Sequence, residues 1–150
     1  MKLFLIGLFF FCLGSTYAQS NKELVLGFTY GPSAITTFDG GEQPFQIQNP
    51  LYFGTTYFSG KWGINPYYNF GTNGIGVFLM HQTTAPVGTY LVFEQSFHTD
   101  FGVVGLGLTS PLYSPYVQGF IEFGHSYGEG SSPALVIGMY LSFSRQLKSW

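Results

Sequence analysis

Charge is what this sequence has least of. Of 150 residues, 5 are Lys or Arg and 7 are Asp or Glu, 8% in all, against about 25% in an average globular domain. Five cations at a net charge of -2 exclude a basic stripe able to neutralise nucleic-acid phosphates, so no nucleic-acid partner is expected. Cysteine is nearly absent: Cys12 is the single one and sits near the N-terminus, so no disulfide framework is available to a small exported core. Helical periodicity is also missing, because no window repeats apolar residues at i, i+3, i+4 over three turns and Gly or Pro interrupts the chain every few residues. His81, His98 and His125 have no paired spacing, and Asp39-Gly40-Gly41-Glu42 lacks the oxygen-ligand density of a calcium loop, so neither a metal nor a cofactor is expected. The apolar content, 45% hydrophobic and 20% aromatic with 21 Gly, excludes a disordered chain.

What is present begins with a targeting signal. Met1-Lys2 precedes the apolar run Leu3 to Leu13, and Thr16-Tyr17-Ala18 follows as a small-x-small cleavage pattern, so residues 1–18 read as a secretory signal peptide cut after Ala18. The run is shorter than the roughly 20 residues of a membrane-spanning helix. Residues 19–150 then form a single domain that keeps the glycine, the aromatics and the scarcity of charge.

The period of that domain is two. In Glu23–Tyr30, Leu24, Leu26, Phe28 and Tyr30 share one face, opposite Val25, Gly27 and Thr29. Trp62–Phe70 sets Trp62, Ile64, Tyr68 and Phe70 against Gly63, Asn65, Tyr67 and Asn69. Ala134–Phe143 sets Leu135, Ile137, Met139, Leu141 and Phe143 against Ala134, Val136, Gly138, Tyr140 and Ser142. Leu51–Ser59, Ile75–Gln82, Thr89–Phe97, Phe101–Thr109 and Tyr116–His125 complete eight strands, separated by turn residues such as Ser59-Gly60-Lys61, Gly71 to Gly74 and Ser110 to Ser114. Only the Gly31–Pro50 connection is long.

The face opposite the large apolar rows carries Gly, Thr, Ser, Asn, Gln and Tyr, not the 25–35% charge of a surface in water. The consistent solvent assignment is inverted, with large apolar side chains toward lipid and the small or polar set toward a lumen. Unpaired backbone groups cost several kcal/mol each in hydrocarbon, so such a sheet must close. Eight strands make the smallest single-chain bacterial barrel. The expected fold is therefore an all-β, eight-stranded antiparallel up-and-down transmembrane β-barrel. Tyr30, Tyr52, Trp62, Phe70, Phe97, Tyr113 and Tyr116, at strand ends, are expected in headgroup-level girdles. The fold alternative is a soluble exported barrel holding an apolar ligand, which needs the large residues inside.

On these features the chain resembles the small eight-stranded outer-membrane barrels of Gram-negative bacteria, of the OmpA/OmpX-type architecture. Gly138-Met139-Tyr140-Leu141-Ser142-Phe143 is similar to the C-terminal assembly signal of such barrels. The resemblance implies recognition by the barrel assembly machinery through Gly138, Leu141 and Phe143, and residence in the outer membrane among its lipids. Val136 stands where that signal usually has a polar residue, and Ser144–Trp150 follow the terminal aromatic. With the mature N-terminus in the periplasm, 31–50, 71–74, 98–100 and 126–133 become external loops.

Chemistry-bearing residues are sparse. Glu94 and Glu122 fall on lumen parity with no basic residue inside any expected strand, and with Tyr140 and Gln118 they form an expected polar lumen network. A proton or ion path through the two glutamates is the alternative use. Gly124-His125-Ser126 suggests hydrolysis, as in outer-membrane lipid A deacylases, but adjacent residues lie on opposite faces of a strand while a nucleophile and its base must touch. The expected role is structural, or docking of another envelope protein through the 31–50 loop, without catalysis. A narrow pore and a lipid A-modifying hydrolase using His125 and Ser126 are the alternatives.

Overall fold

The computed structural model describes residues 22–38, 46–83, 87–114, 116–128 and 131–149. The expected signal peptide and cleavage site, Asp39 to Glu42, Ala85-Pro86 and Trp150 lie outside the described residues.

Ten strands form, with no helix among the described residues: β1 (Lys22–Tyr30), β2 (Ser33–Thr37), β3 (Gln46–Gln48), β4 (Leu51–Ser59), β5 (Trp62–Asn69), β6 (Gly74–Gln82), β7 (Gly88–Ser96), β8 (Gly102–Ser114), β9 (Val117–Tyr127) and β10 (Pro133–Ser149). Eight of them, β1 and β4 to β10, pair antiparallel with their neighbours in chain order, and β10 returns to β1. The chain is thus an all-β, eight-stranded closed antiparallel barrel.

The 31–50 segment differs from the expected loop. In register, β2 prolongs β1 along β10: Tyr30 faces Leu141 and Ser33 faces Gly138, with the Met139 amide donating to the Pro32 carbonyl at 3.0 Å. Likewise β3 leads into β4, since Tyr30 faces Leu51, Ser33 faces Gln48, and the Gly31 amide donates to the Pro50 carbonyl at 3.0 Å. The segment is therefore a hairpin that carries two barrel strands past the rim on one side. Pro32 and Pro50 hid this continuity in the sequence, because proline cannot donate to a ladder and reads as a strand end.

Two other boundaries move. β8 continues through the expected Ser110–Ser114 turn, with a register shift between Pro111 and Ser114. β10 continues past Phe143 to Ser149, so Arg145 and Lys148 are strand residues and the expectation of strands free of basic residues is corrected. Between β4 and β5 a two-residue turn places Gly60 at φ 60°, the conformation that glycine supplies first in such a hairpin loop.

Facing follows the alternation in the sequence. Phe28, Ile64, Leu79, Phe93, Leu106, Phe123, Ile137 and Met139 are exposed around the outer wall. Val25, Thr29, Thr56, Asn65, Phe78, Val92, Val103, Val136 and Ser142 are buried in the lumen. The lumen is more aromatic than expected. Tyr52, Tyr67, Phe78, Tyr90, Phe120 and Tyr140 fill it, with Tyr67 stacked on Phe78 at 4.7 Å and Phe120 on Tyr140 at 4.1 Å. Tyr52 is accordingly corrected from girdle to lumen: flanked by outward Leu51 and Phe53, it has inward parity, is 1% exposed, and meets Tyr67 edge-on. Tyr30, Trp62, Phe70, Phe97 and Tyr116 are exposed at strand ends. The side chain of Tyr113 lies outside the described ones.

Such large rings fit inside eight strands because glycines face them. A β-carbon at Gly107 falls 2.0 Å from the Tyr90 ring, and one at Gly76 falls 2.3 Å from that of Tyr67. Overpacking of a filled core costs about 1–3 kcal/mol. Gly107→Val is therefore expected to lower barrel stability by at least that amount. Urea unfolding in detergent micelles, followed by the shift between folded and boiled bands on a gel, measures the loss.

Candidate functional site

Alternation directs Glu94 of β7 and Glu122 of β9 into the lumen, where they are 3% and 1% exposed. Each gathers its own hydrogen-bond donors. Around Glu94, the Tyr67 hydroxyl donates to Oε2 at 2.9 Å, the Asn69 amide nitrogen donates to Oε1 at 3.0 Å and Oε2 at 3.2 Å, and the Thr72 hydroxyl donates to Oε1 at 2.5 Å. Tyr67 and Asn69 come from the inward row of β5 and Thr72 from the turn that follows it. The Ser96 hydroxyl, donating to the Thr72 carbonyl at 3.1 Å, ties that turn to β7.

Deeper in the barrel the Tyr90 hydroxyl donates to Glu122 Oε2 at 2.8 Å, and Tyr140 is hydrogen-bonded to Tyr90. Glu122 Oε1 has no hydrogen-bond partner among the described residues and faces the space left by Gly105, where a β-carbon falls 2.8 Å from it. No Lys or Arg side chain stands on the lumen face of the described strands beside either carboxyl group. Neutral donors, not ion pairs, therefore compensate the burial of these groups. Gln118 is half-buried near the opposite end of the lumen, and its Oε1 has no partner there. The structure thus brings Tyr140 and Glu122 together through Tyr90, with Glu94 held by Tyr67, Asn69 and Thr72.

Tyr67, Asn69, Thr72 and Tyr90 were not singled out from the sequence. Tyr67 and Asn69 could have been found, since they share the inward row with Gly63 and Asn65. Thr72 could not, because it belongs to a turn and reaches Glu94 only through strand pairing.

At the outer rim, His125 is exposed while Ser126 is 1% exposed on the other face of β9. The Ser126 hydroxyl donates to the Ser132 carbonyl at 3.2 Å and accepts from the Ser132 amide at 3.0 Å, closing the β9–β10 connection. His125 Nδ1 contacts the Ser126 carbonyl and lies 3.5 Å from the Ser131 hydroxyl. His125 and the Ser126 hydroxyl are therefore not brought together. In β10, Leu141 and Phe143 face outward, Phe143 being 71% exposed, while Gly138 packs against Pro32, Ser33 and Phe120. Among the described residues no three His, Cys, Asp or Glu side chains gather as a metal site.

The fold and site define a closed eight-stranded β-barrel with a filled, polar-lined aromatic lumen. Among solved structures the chain is similar to the crystal structure of Ail, the attachment invasion locus protein of Yersinia pestis, at 11% identity over 83% of this chain and 99% of that one, with a TM-score of 0.31. No protein-family model and no curated protein matches the sequence.

The cluster around Glu94 gives a direct test. Replacing it by Leu strips the acceptor from three donors, and each buried donor left without a partner costs about 1–3 kcal/mol. Glu94→Leu is expected to destabilise the barrel by at least about 2 kcal/mol more than Glu94→Gln, which keeps one acceptor oxygen. Equilibrium unfolding of the two variants in the same lipid or detergent measures the difference.

Proposed function

We propose that this protein is an outer-membrane β-barrel with a structural and docking role in the cell envelope, without transport and without catalysis. The observation that carries the reading is the inversion of the barrel: Phe28, Leu79, Phe93, Leu106, Phe123 and Ile137 are exposed on its outer wall, while both deeply buried carboxyl groups are inside. A soluble barrel with that wall would present an apolar patch far larger than the few hundred Å² usual for monomers. The same inversion speaks against a soluble carrier of apolar ligands, whose outer wall would be polar. The rings that fill the lumen favour a plug over a pore.

Docking is assigned to the β2–β3 hairpin. It rises past the rim, exposes Ile47 at 80% and Phe38 at 54%, and pairs through β2 with β10, while β3 has no second strand neighbour among the described residues. An open strand edge beside exposed apolar side chains is a surface to which another polypeptide can add. The hairpin connects through β2 to the strand that closes the barrel, so a partner held there is anchored to the wall.

Because the chain after the signal peptide contains no cysteine, single-cysteine labelling is clean. A polarity-sensitive dye on Leu106→Cys is expected to shift strongly to the blue when the protein inserts into phospholipid vesicles, whereas the same dye on Asp100→Cys stays in water. A Leu106 label that remains aqueous in vesicles overturns the membrane reading. For the docking role, a photoactivatable group on Ile47→Cys in intact cells is expected to yield a discrete crosslinked protein adduct that the same group on Leu106→Cys does not. The absence of any adduct specific to the hairpin removes that role.

A further inference from the structure

The described cations are segregated at one end of the barrel. Lys22 opens β1, Lys61 lies in the β4–β5 turn, and Arg145 and Lys148 lie near the end of β10, so all four are at the end bearing both described termini. All are exposed. Of the described carboxylates, Glu94 and Glu122 are in the lumen, Asp100 is in the connection at the opposite end, and Glu23 shares the inward row of Val25. Short turns and the termini mark this end as the periplasmic one in the membrane reading.

Strand pairing arranges the outer face here in descending rows. Phe53, Phe28 and Phe143 stand side by side across β4, β1 and β10, with the Phe28 and Phe53 rings 4.7 Å apart. The next row is Thr55, Leu26 and Arg145, and the one below it is Tyr57, Leu24 and Lys148. Simple alternation would turn Lys148 inward if Arg145 faces out. The register shift opposite Leu24 and Val25 absorbs one residue of β10, so Lys148 faces Leu24 and joins Arg145 outside.

The same stretch of β10 has lost its other neighbour. Pairing with β9 ends at Leu141 and Val117, the Ser142 amide donates to the Tyr116 carbonyl at 3.0 Å, and beyond that point β10 pairs, among the described strands, with β1 alone. The step leaves an open groove of about 670 Å³ bounded by Leu26, Phe28, Phe53, Tyr116, Phe143 and Arg145. Arg145 lies two residues, about 7 Å of strand, beyond Phe143. Apolar rings therefore give way to a guanidinium over the distance from acyl chain to headgroup.

We propose that this groove at the β1–β10 seam is a seat for an anionic phospholipid, with an acyl chain along Phe28, Phe53 and Phe143 and the headgroup phosphate on Arg145. A guanidinium presents its fork of donors to a phosphate, and Lys148 below it adds a second positive charge. The segregation of cations selects the sign of the headgroup, and the groove selects a lipid over a free anion. This inference rests on the membrane placement proposed above.

The test uses the full-length mature barrel folded into vesicles of equal phosphatidylglycerol and phosphatidylethanolamine, extracted gently, and read by native mass spectrometry for retained lipid. Wild type is expected to retain phosphatidylglycerol in preference. A cation near a lipid surface contributes about 1 kcal/mol, or about fivefold in affinity, so Arg145→Gln is expected to reduce that preference about fivefold. Lys61→Gln, which removes the same charge at the same rim outside the groove, is expected to keep it. A photoactivatable acyl chain on phosphatidylglycerol is expected to label the peptide containing Phe143 above other segments of the belt. Equal retention of both lipids by wild type, equal loss in Arg145→Gln and Lys61→Gln, uniform labelling of the belt, or a protein dimer in place of bound lipid each overturns the proposal. A barrel that folds into the vesicles without preference defeats the groove alone, whereas one that never inserts defeats the membrane reading as well.

Discussion

The ladder between β1 and β10 is the contact on which the rest of this structure depends. An open sheet of eight strands ends in two rows of unpaired amides and carbonyls, and with so few charges the chain has little means of keeping such edges in water. Pairing Tyr30 with Leu141 and Phe28 with Phe143 joins the first barrel strand to the last. Once the sheet is closed, the alternation along every strand is converted into an outer and an inner surface. The seam is also where the barrel is least symmetric. Above it β2 prolongs β1 along β10, and below it β10 runs on, among the described strands, beside β1 alone, so the hairpin and the groove both originate at this one closure.

Closure in turn sets the interior. Eight strands enclose little more than their own side chains, and this lumen is occupied by large aromatic rings, Tyr52, Tyr67, Phe78, Tyr90, Phe120 and Tyr140 among them. The glycine content follows from that choice, because Gly107 and Gly76 lie where Tyr90 and Tyr67 cross the barrel. The tyrosines do more than fill space. Their hydroxyls, with Asn69 and Thr72, meet the carboxyl groups of Glu94 and Glu122 where no lysine or arginine is present. Neutral donors meet the buried carboxyl groups, and the described lysines and arginine are gathered toward one end of the barrel.

The fold was legible because its signal is local. A period of two is written in consecutive residues, and the rows Leu24-Leu26-Phe28 and Leu135-Ile137-Met139 keep their facing once folded. Where the local rule failed, a specific residue interfered. Pro32 and Pro50 disguised two long strands as a loop, and the Ser110–Ser114 turn signal hid the irregular end of β8. Tyr52 was misplaced because position near a strand end was weighed above parity. The lumen was legible only in part: Glu94, Glu122 and Tyr140 stand out on parity, but which tyrosine meets which carboxyl group depends on strands up to 32 residues apart.

The sequence by itself determined the architecture, since eight alternating segments with so little charge on either face admit a closed barrel with an apolar outer wall. Only the tertiary structure decided which side chains meet Glu94 and which meet Glu122, that 31–50 is a strand extension, and that Arg145 and Lys148 share the outer face. The physical reason is the same in each case. Alternation tells a side chain which surface it belongs to, whereas register, set by backbone pairing between distant segments and shifted by a single bulge, tells it which neighbours it has.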